Sequence, residues 1–180
     1  MPNDQLWAPW RLGYVQGTHA TAQPPAPQQL LEGADPACFL CRCAVPGDDR
    51  ASLVPWRTTL TCTVLNRFPY NNGHLLLAPR RHVARLEQLT TAEHTELGHG
   101  LARLVSTLEQ VLKAEGFNVG LNLGRVAGAG LPGHLHWHVV PRWTGDTNFM
   151  PVLADTNVIP QSLDALWQLL VAALNPSPQK

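Results

Sequence analysis

His134-Leu135-His136-Trp137-His138-Val139-Val140 alternates polar and apolar side chains through most of its length. That period predicts a β-strand with His134, His136 and His138 on one face and Leu135, Trp137 and Val139 turned into a core. Same-face neighbours in a strand stand about 7 Å apart, near enough for two of them to reach one phosphate or one metal ion. Imidazole is the side chain that serves as ligand, proton carrier or nucleophile near neutral pH. Three of the chain's eight histidines fall within these five positions. Packing alone does not ask for that, and a solvent-facing polar edge would be served as well by Ser, Thr or Lys.

The elements around this strand follow from the same kind of reading. Gly124 to Gly133 is a glycine-rich turn, and Asn118-Val119-Gly120-Leu121-Asn122-Leu123 before it alternates as a strand. Thr90 with Glu93 three residues on is a capping box that opens a helix. Leu97, Leu101, Leu104, Val105, Leu108, Val111 and Leu112 give this helix one apolar stripe, and Gly116 is the expected C-terminal cap. It is a core helix, and no chemistry is expected from its His94 or His99. Upstream, a strand is expected over Arg57 to Leu65 and another over His74 to Ala78, ending at Pro79, with residues 66–73 as the turn between them. Leu163, Leu166, Trp167, Leu170, Val171 and Leu174 mark a second amphipathic helix. The order β-β-α-β-β with short connections predicts an α+β domain on an antiparallel sheet.

Composition sets the outer bounds. A chain of 180 residues, 44% hydrophobic and 14% charged, suits one globular domain rather than a disordered one. Thirteen basic side chains balance thirteen acidic ones, so there is no broad basic face of the kind nucleic-acid binders use, and no nucleic-acid partner is expected. Met1-Pro2-Asn3-Asp4-Gln5 lacks the basic and apolar succession of a signal peptide. No run approaches the roughly 18 apolar residues of a membrane span. The expectation is a soluble cytoplasmic protein with no membrane partner. Leu6 to Tyr14 is aromatic but broken by Pro and Gly, and reads as an arm. Residues 16–36, rich in Ala, Pro, Gln and Gly, read as an irregular linker. The domain therefore spans 1–180, with an arm and linker over 1–36 and a helical extension over 160–180.

The four cysteines are Cys38, Cys41, Cys43 and Cys62. Cys38-Phe39-Leu40-Cys41 has the two-residue gap that brings two thiolates to one tetrahedral zinc, but it is only half of a site. Cys62 lies in a strand-like alternation and reads as a small core residue. Cys43 either substitutes for one of the pair or is idle.

Taken with its companions, the histidine strand resembles the His-φ-His-φ-His-φ-φ signature of the histidine triad (HIT) family of nucleotide hydrolases and transferases. The block from His134 through Arg142-Trp143 to Gly145-Asp146-Thr147-Asn148-Phe149-Met150 is similar to the bacterial diadenosine tetraphosphate phosphorylase-like branch. So is Leu6-Trp7-Ala8-Pro9-Trp10-Arg11. The resemblance implies a HIT-like fold, an antiparallel five-stranded sheet with one long helix and a C-terminal helix. It also implies an enzyme that cleaves dinucleoside polyphosphates, diadenosine tetraphosphate favoured, at the α-phosphate.

By that resemblance His136 is the nucleophile that forms a covalent nucleotidyl-histidine, with His138 and His74 beside the phosphate. Asn66 holds the ribose, although a turn residue bonded to its own backbone explains Asn66 equally well. Asn122 ends the strand that approaches the phosphates, and Gly128 and Gly130 lie where backbone N–H groups can form an anion nest. Trp143 either stacks on a base or belongs to the core. Zinc-containing members imply Cys38, Cys41, His82 and His134 as a closed, structural zinc set. A homodimer or higher oligomer is implied as well. One departure stands out: where many members carry Gln followed by Ser or Thr before the triad, this chain has Ala129, Gly130 and Leu131. Phosphate contacts must then come from backbone or elsewhere. Phosphate as acceptor makes a phosphorylase, water a hydrolase. The rivals are a purine nucleoside phosphoramidate or adenylate hydrolase, a non-catalytic nucleotide sensor, and a metallohydrolase using His136 and His138 as ligands.

Overall fold

The computed structural model describes residues 29–146 and 161–176. Its elements in chain order are α1 (Phe39–Cys43), β1 (Trp56–Arg57), β2 (Thr61–Leu65), β3 (Leu75–Pro79), α2 (Thr91–Leu112), β4 (Gly116–Leu121), β5 (Trp137–Arg142) and α3 (Leu163–Leu174). The strands form one antiparallel sheet in the order β1-β2-β3-β5-β4. This is the expected α+β architecture. The aromatic arm and Thr147 to Met150 lie outside the described residues.

The central strand β3 explains the layering. Its residues Leu75-Leu76-Leu77-Ala78-Pro79 are all buried, because the sheet is covered on both faces and such a strand must be apolar throughout. Leu75 and Leu77 point to α2 and α3, where Leu97, Leu104, Leu108, Leu166, Leu170 and Leu174 complete the main core. Leu76 and Ala78 point the other way, into a smaller cluster with Leu40, Cys38, Cys41, Cys62 and Val64. Trp137 and Val139 of β5 join the helix side as expected, so His138 falls on the cysteine side, opposite Leu76.

The helix α2 begins as its sequence predicts. Thr90 accepts from the Glu93 N–H, and the Glu93 carboxylate accepts from the Thr90 N–H. Its end differs. Lys113 takes the left-handed conformation at φ 54°, and Gly116 opens β4 instead of capping the helix. The Trp143 indole N–H donates to the carbonyls of Leu112 and Lys113 at that end, giving two of the terminal carbonyls a partner.

Other boundaries move for equally local reasons. The strand expected from Arg57 to Leu65 is split into β1 and β2 by a turn in which Thr58 N–H bonds to Thr61 O. The Glu96 carboxylate of α2 pins that turn through the Leu60 N–H and the Thr58 hydroxyl. β4 runs over Gly116–Leu121, not 118–123, so Asn122 follows the strand. β5 starts only at Trp137, where both neighbours pair with it; before that point the Leu135 N–H bonds to Val83 O at 2.7 Å. The short helix α1, which periodicity did not announce, starts directly after Cys38. Among the described residues no helix is long and apolar enough to cross a membrane.

Candidate active site and metal centre

Two clusters occupy the cysteine side of the sheet, joined by residues 134–138. In the first, α1 turns Cys38 and Cys41 toward His134, which enters β5, and toward His82, which follows β3. The Sγ atoms of Cys38 and Cys41 lie 3.3 and 3.5 Å from His134 Nδ1, and Cys41 Sγ lies 3.2 Å from His82 Nδ1. The four ligand atoms are all within 4.8 Å of one another. A tetrahedral zinc with its usual bond lengths sets sulfur and nitrogen about 3.5 Å apart, so the spacing fits. The His134 Nε2–H donates to Pro79 O at 2.9 Å, which leaves Nδ1 bare toward the sulfurs, the arrangement usual behind a metal-ligating imidazole. Burial pushes the Cys38 thiol up to about 12 and the His134 imidazole down to about 4. Cys43 instead directs its sulfur toward Ser52 O, and Cys62 is fully buried in β2.

The second cluster is made by His74, His136 and His138. His136 is 8% exposed, and its Nδ1–H donates to the carbonyl of His134 at 2.9 Å. The carbonyl can only accept, so Nε2 of His136 keeps its lone pair. Burial lowers the basicity of this imidazole, which keeps it neutral near pH 7. Its ring centroid lies 5.1 Å from that of His138, which in turn lies 5.1 Å from that of His74. His74 is fully buried. Gly73 holds it there: at φ +78° a side chain would be strained, and a Cβ would fall 2.6 Å from Leu112 Cδ1 of α2.

The tautomers of this pair follow from the backbone. The Tyr70 N–H donates to His74 Nδ1 at 3.1 Å, so the proton of His74 sits on Nε2. That Nε2–H faces His138 Nδ1 at 2.9 Å, and the proton of His138 is therefore on its own Nε2. Side by side the cluster thus has a bare nitrogen on His136 and an Nε2–H on His138.

The remaining candidates are placed as follows. Asn66 accepts from Phe68 N–H through Oδ1, the local turn bond, and its amide nitrogen lies 3.2 and 3.5 Å from the two ring nitrogens of His74. Asn122 and Gly128 are neighbours, since a Cβ on Gly128 would lie 3.9 Å from Asn122 Nδ2. The N–H groups of Gly128 and Ala129 are already used by Arg125 O and Gly124 O, so neither is turned out as a nest donor. Gly130 is exposed in the same loop. Trp143 follows the far end of β5, with its indole nitrogen bonded to the end of α2. His94 and His99 are exposed on α2. Sequence reasoning missed Tyr70, whose ring stacks on His74, and the Arg81–Glu93 ion pair that anchors the segment carrying His82. No periodic signal marks either.

Residues 48–145 match the family model described as HIT domain. The chain belongs to the HIT family. A relative, AP-4-A phosphorylase of Mycobacterium tuberculosis, is 40% identical over 166 residues, covering 92% of this chain and 82% of its own length. Bis(5'-nucleosyl)-tetraphosphatase [asymmetrical] of Schizosaccharomyces pombe is 37% identical over 95 residues, 53% of this chain and 52% of that one. Among solved structures, a Zn-bound histidine triad family protein from Mycobacterium smegmatis superposes with a TM-score of 0.56 at 24% identity, covering 68% of this chain and 83% of its own. That likeness shows the HIT fold over the part of the chain it covers.

Proposed function

We propose that this HIT protein is an enzyme that cleaves dinucleoside polyphosphates, with diadenosine tetraphosphate the favoured substrate. The observation that carries this reading is the His136 Nδ1–H bond to the His134 carbonyl, which leaves Nε2 as a bare nitrogen at a buried neutral imidazole. That nitrogen attacks the α-phosphorus; a P–N bond forms as the P–O bond to the departing nucleoside polyphosphate breaks, and its electron pair leaves with the oxygen. The acceptor oxygen then attacks phosphorus, and the P–N pair returns to His136, so one difficult displacement becomes two. The His138 Nε2–H donates a hydrogen bond to the oxygens on which charge develops, and His74 holds His138 for that task.

Asn66 retains hydrogen-bonding capacity for the ribose beyond its turn bond, and Asn122 and Gly130 serve the phosphate side. The Gly128 N–H is held inside its loop and the Trp143 indole N–H by the end of α2, so neither of these groups is turned to the nucleotide. Phosphate is the favoured acceptor, in line with the name of the 40% identical relative. Product analysis tests this: with inorganic phosphate, diadenosine tetraphosphate should yield a nucleoside diphosphate in place of the monophosphate formed with water. Monophosphate alone, whatever the phosphate concentration, would make the enzyme a hydrolase; an intact substrate would remove the assignment.

Cys38, Cys41, His82 and His134 form the set that would hold zinc. Four protein ligands leave no open position for substrate, so the ion would tie α1 and the segment after β3 to the strand of the nucleophile. The edge strand β4, whose Asn118, Val119 and Gly120 are exposed, is the surface we assign to a homodimer, and the thiol state of all four cysteines suits a cytoplasmic protein.

A further inference from the structure

Tyr70 stands in the turn between β2 and β3 and is 41% exposed. Both halves of the residue engage His74. The backbone N–H donates to His74 Nδ1 at 3.1 Å, and the side-chain ring stacks on the imidazole with centroids 4.9 Å apart and planes inclined by 19°. The Asn66 amide nitrogen, at 3.2 and 3.5 Å from the two ring nitrogens, is nearly equidistant from them and so lies over the ring rather than in its plane. It therefore does not choose the tautomer. The Tyr70 N–H does, and the Tyr70 ring holds the imidazole plane.

We propose that Tyr70 is a positioning residue, acting through His74 and His138, that sets the direction of the hydrogen bonds running to the reacting phosphate. The logic is one of donor and acceptor counting. A neutral imidazole carries one N–H and one bare nitrogen. With Nδ1 of His74 occupied by the Tyr70 N–H, Nε2 must donate, and it faces His138 Nδ1 at 2.9 Å. His138 must then carry its proton on Nε2. If His74 took the opposite tautomer, its Nδ1–H would oppose the Tyr70 N–H and its bare Nε2 would draw the proton of His138 onto Nδ1. The cluster would then show a bare nitrogen where a donor is needed. No proton is transferred along this line; it fixes which nitrogen bears one. The stacked ring matters because a hydrogen bond weakens steeply as its angle departs from linear, and tilting His74 would turn its Nε2–H away from His138.

The kinetic arm of the test rests on the proposed cleavage reaction, and the spectroscopic arm does not. In histidine-labelled protein without substrate, nitrogen NMR should show His74 and His138 each protonated at Nε2 only, with the His74 Nε2–H slow to exchange. A proton on His74 Nδ1 overturns the proposal, whether or not the protein is an enzyme. Tyr70→Phe should keep both the spectrum and the rate. Tyr70→Ala should broaden the His74 Nε2–H by faster exchange and lower kcat for diadenosine tetraphosphate about tenfold, the weight of one hydrogen bond, while KM holds. A raised KM with kcat intact would assign the ring to nucleotide binding, and a Phe variant as impaired as Ala would assign the role to the hydroxyl; either result overturns the proposal.

Discussion

Replacing Glu93 with Gln tests how the segment that carries His82 is fastened to the domain. The Glu93 carboxylate accepts twice from the Arg81 guanidinium, at 2.8 Å each, and once from the Thr90 N–H at 2.8 Å. Its side chain is only 3% exposed, against 50% for Arg81. Hydrogen bonds from the Arg81 guanidinium, and after it from Thr90, pull the carboxyl from its usual 4.5 down to about 2. At 1.36 kcal/mol per pH unit that fall corresponds to about 3 kcal/mol, and solvent around the half-exposed Arg81 reduces it to about 2 kcal/mol. Because the folded value lies below the unfolded one, this stability is fully present above about pH 4.5 and is lost as pH falls toward about 2. Gln keeps the capping bond to Thr90 but cannot hold the charge of Arg81. Denaturant titration at neutral pH should therefore find Glu93→Gln less stable by about 2 kcal/mol, and the gap should close by about pH 2 as the wild-type carboxyl protonates. A gap that stays constant with pH would show that the loss comes from packing rather than charge.

Three further outcomes follow from the site and the core. His136→Ala should abolish turnover, by a factor on the order of 10⁴ or more, while calorimetry still finds nucleotide binding; comparable turnover would exclude His136 as nucleophile. Elemental analysis should find zinc in the purified wild type and little in Cys41→Ser, whose thermal transition should also fall; equal zinc in both would exclude Cys41 as a ligand. Leu108→Ala, at a fully buried position between α2 and the sheet, should cost about 2–5 kcal/mol by denaturant titration, and a loss within about 0.5 kcal/mol would mean the core is misplaced.

Much of this was legible in the chain because it rests on local rules. The Thr90–Glu93 box announced α2, the apolar run before Pro79 announced β3, and alternation put His138 on the face opposite Trp137 and Val139. The ends of elements were less legible because distant groups set them. An indole from beyond β5 meets the carbonyls at the end of α2, and a carboxylate from α2 breaks the strand expected from Arg57. Cys38 and Cys41 offered half of a candidate metal set by spacing; His82 came only through family resemblance, since it meets Cys41 only in the folded chain. Tyr70 was illegible for a similar reason. A turn residue four positions before a histidine carries no period, and its stacking depends on how Gly73 lets His74 sink beneath α2.

The most direct measurement is rapid quenching of the enzyme with diadenosine tetraphosphate labelled in the α-phosphate, followed by mapping of the labelled peptide. A phosphoramidate on the peptide containing His136, formed and consumed at the rate of turnover, is the predicted result. Steady product formation with no label ever held by that imidazole would contradict the account.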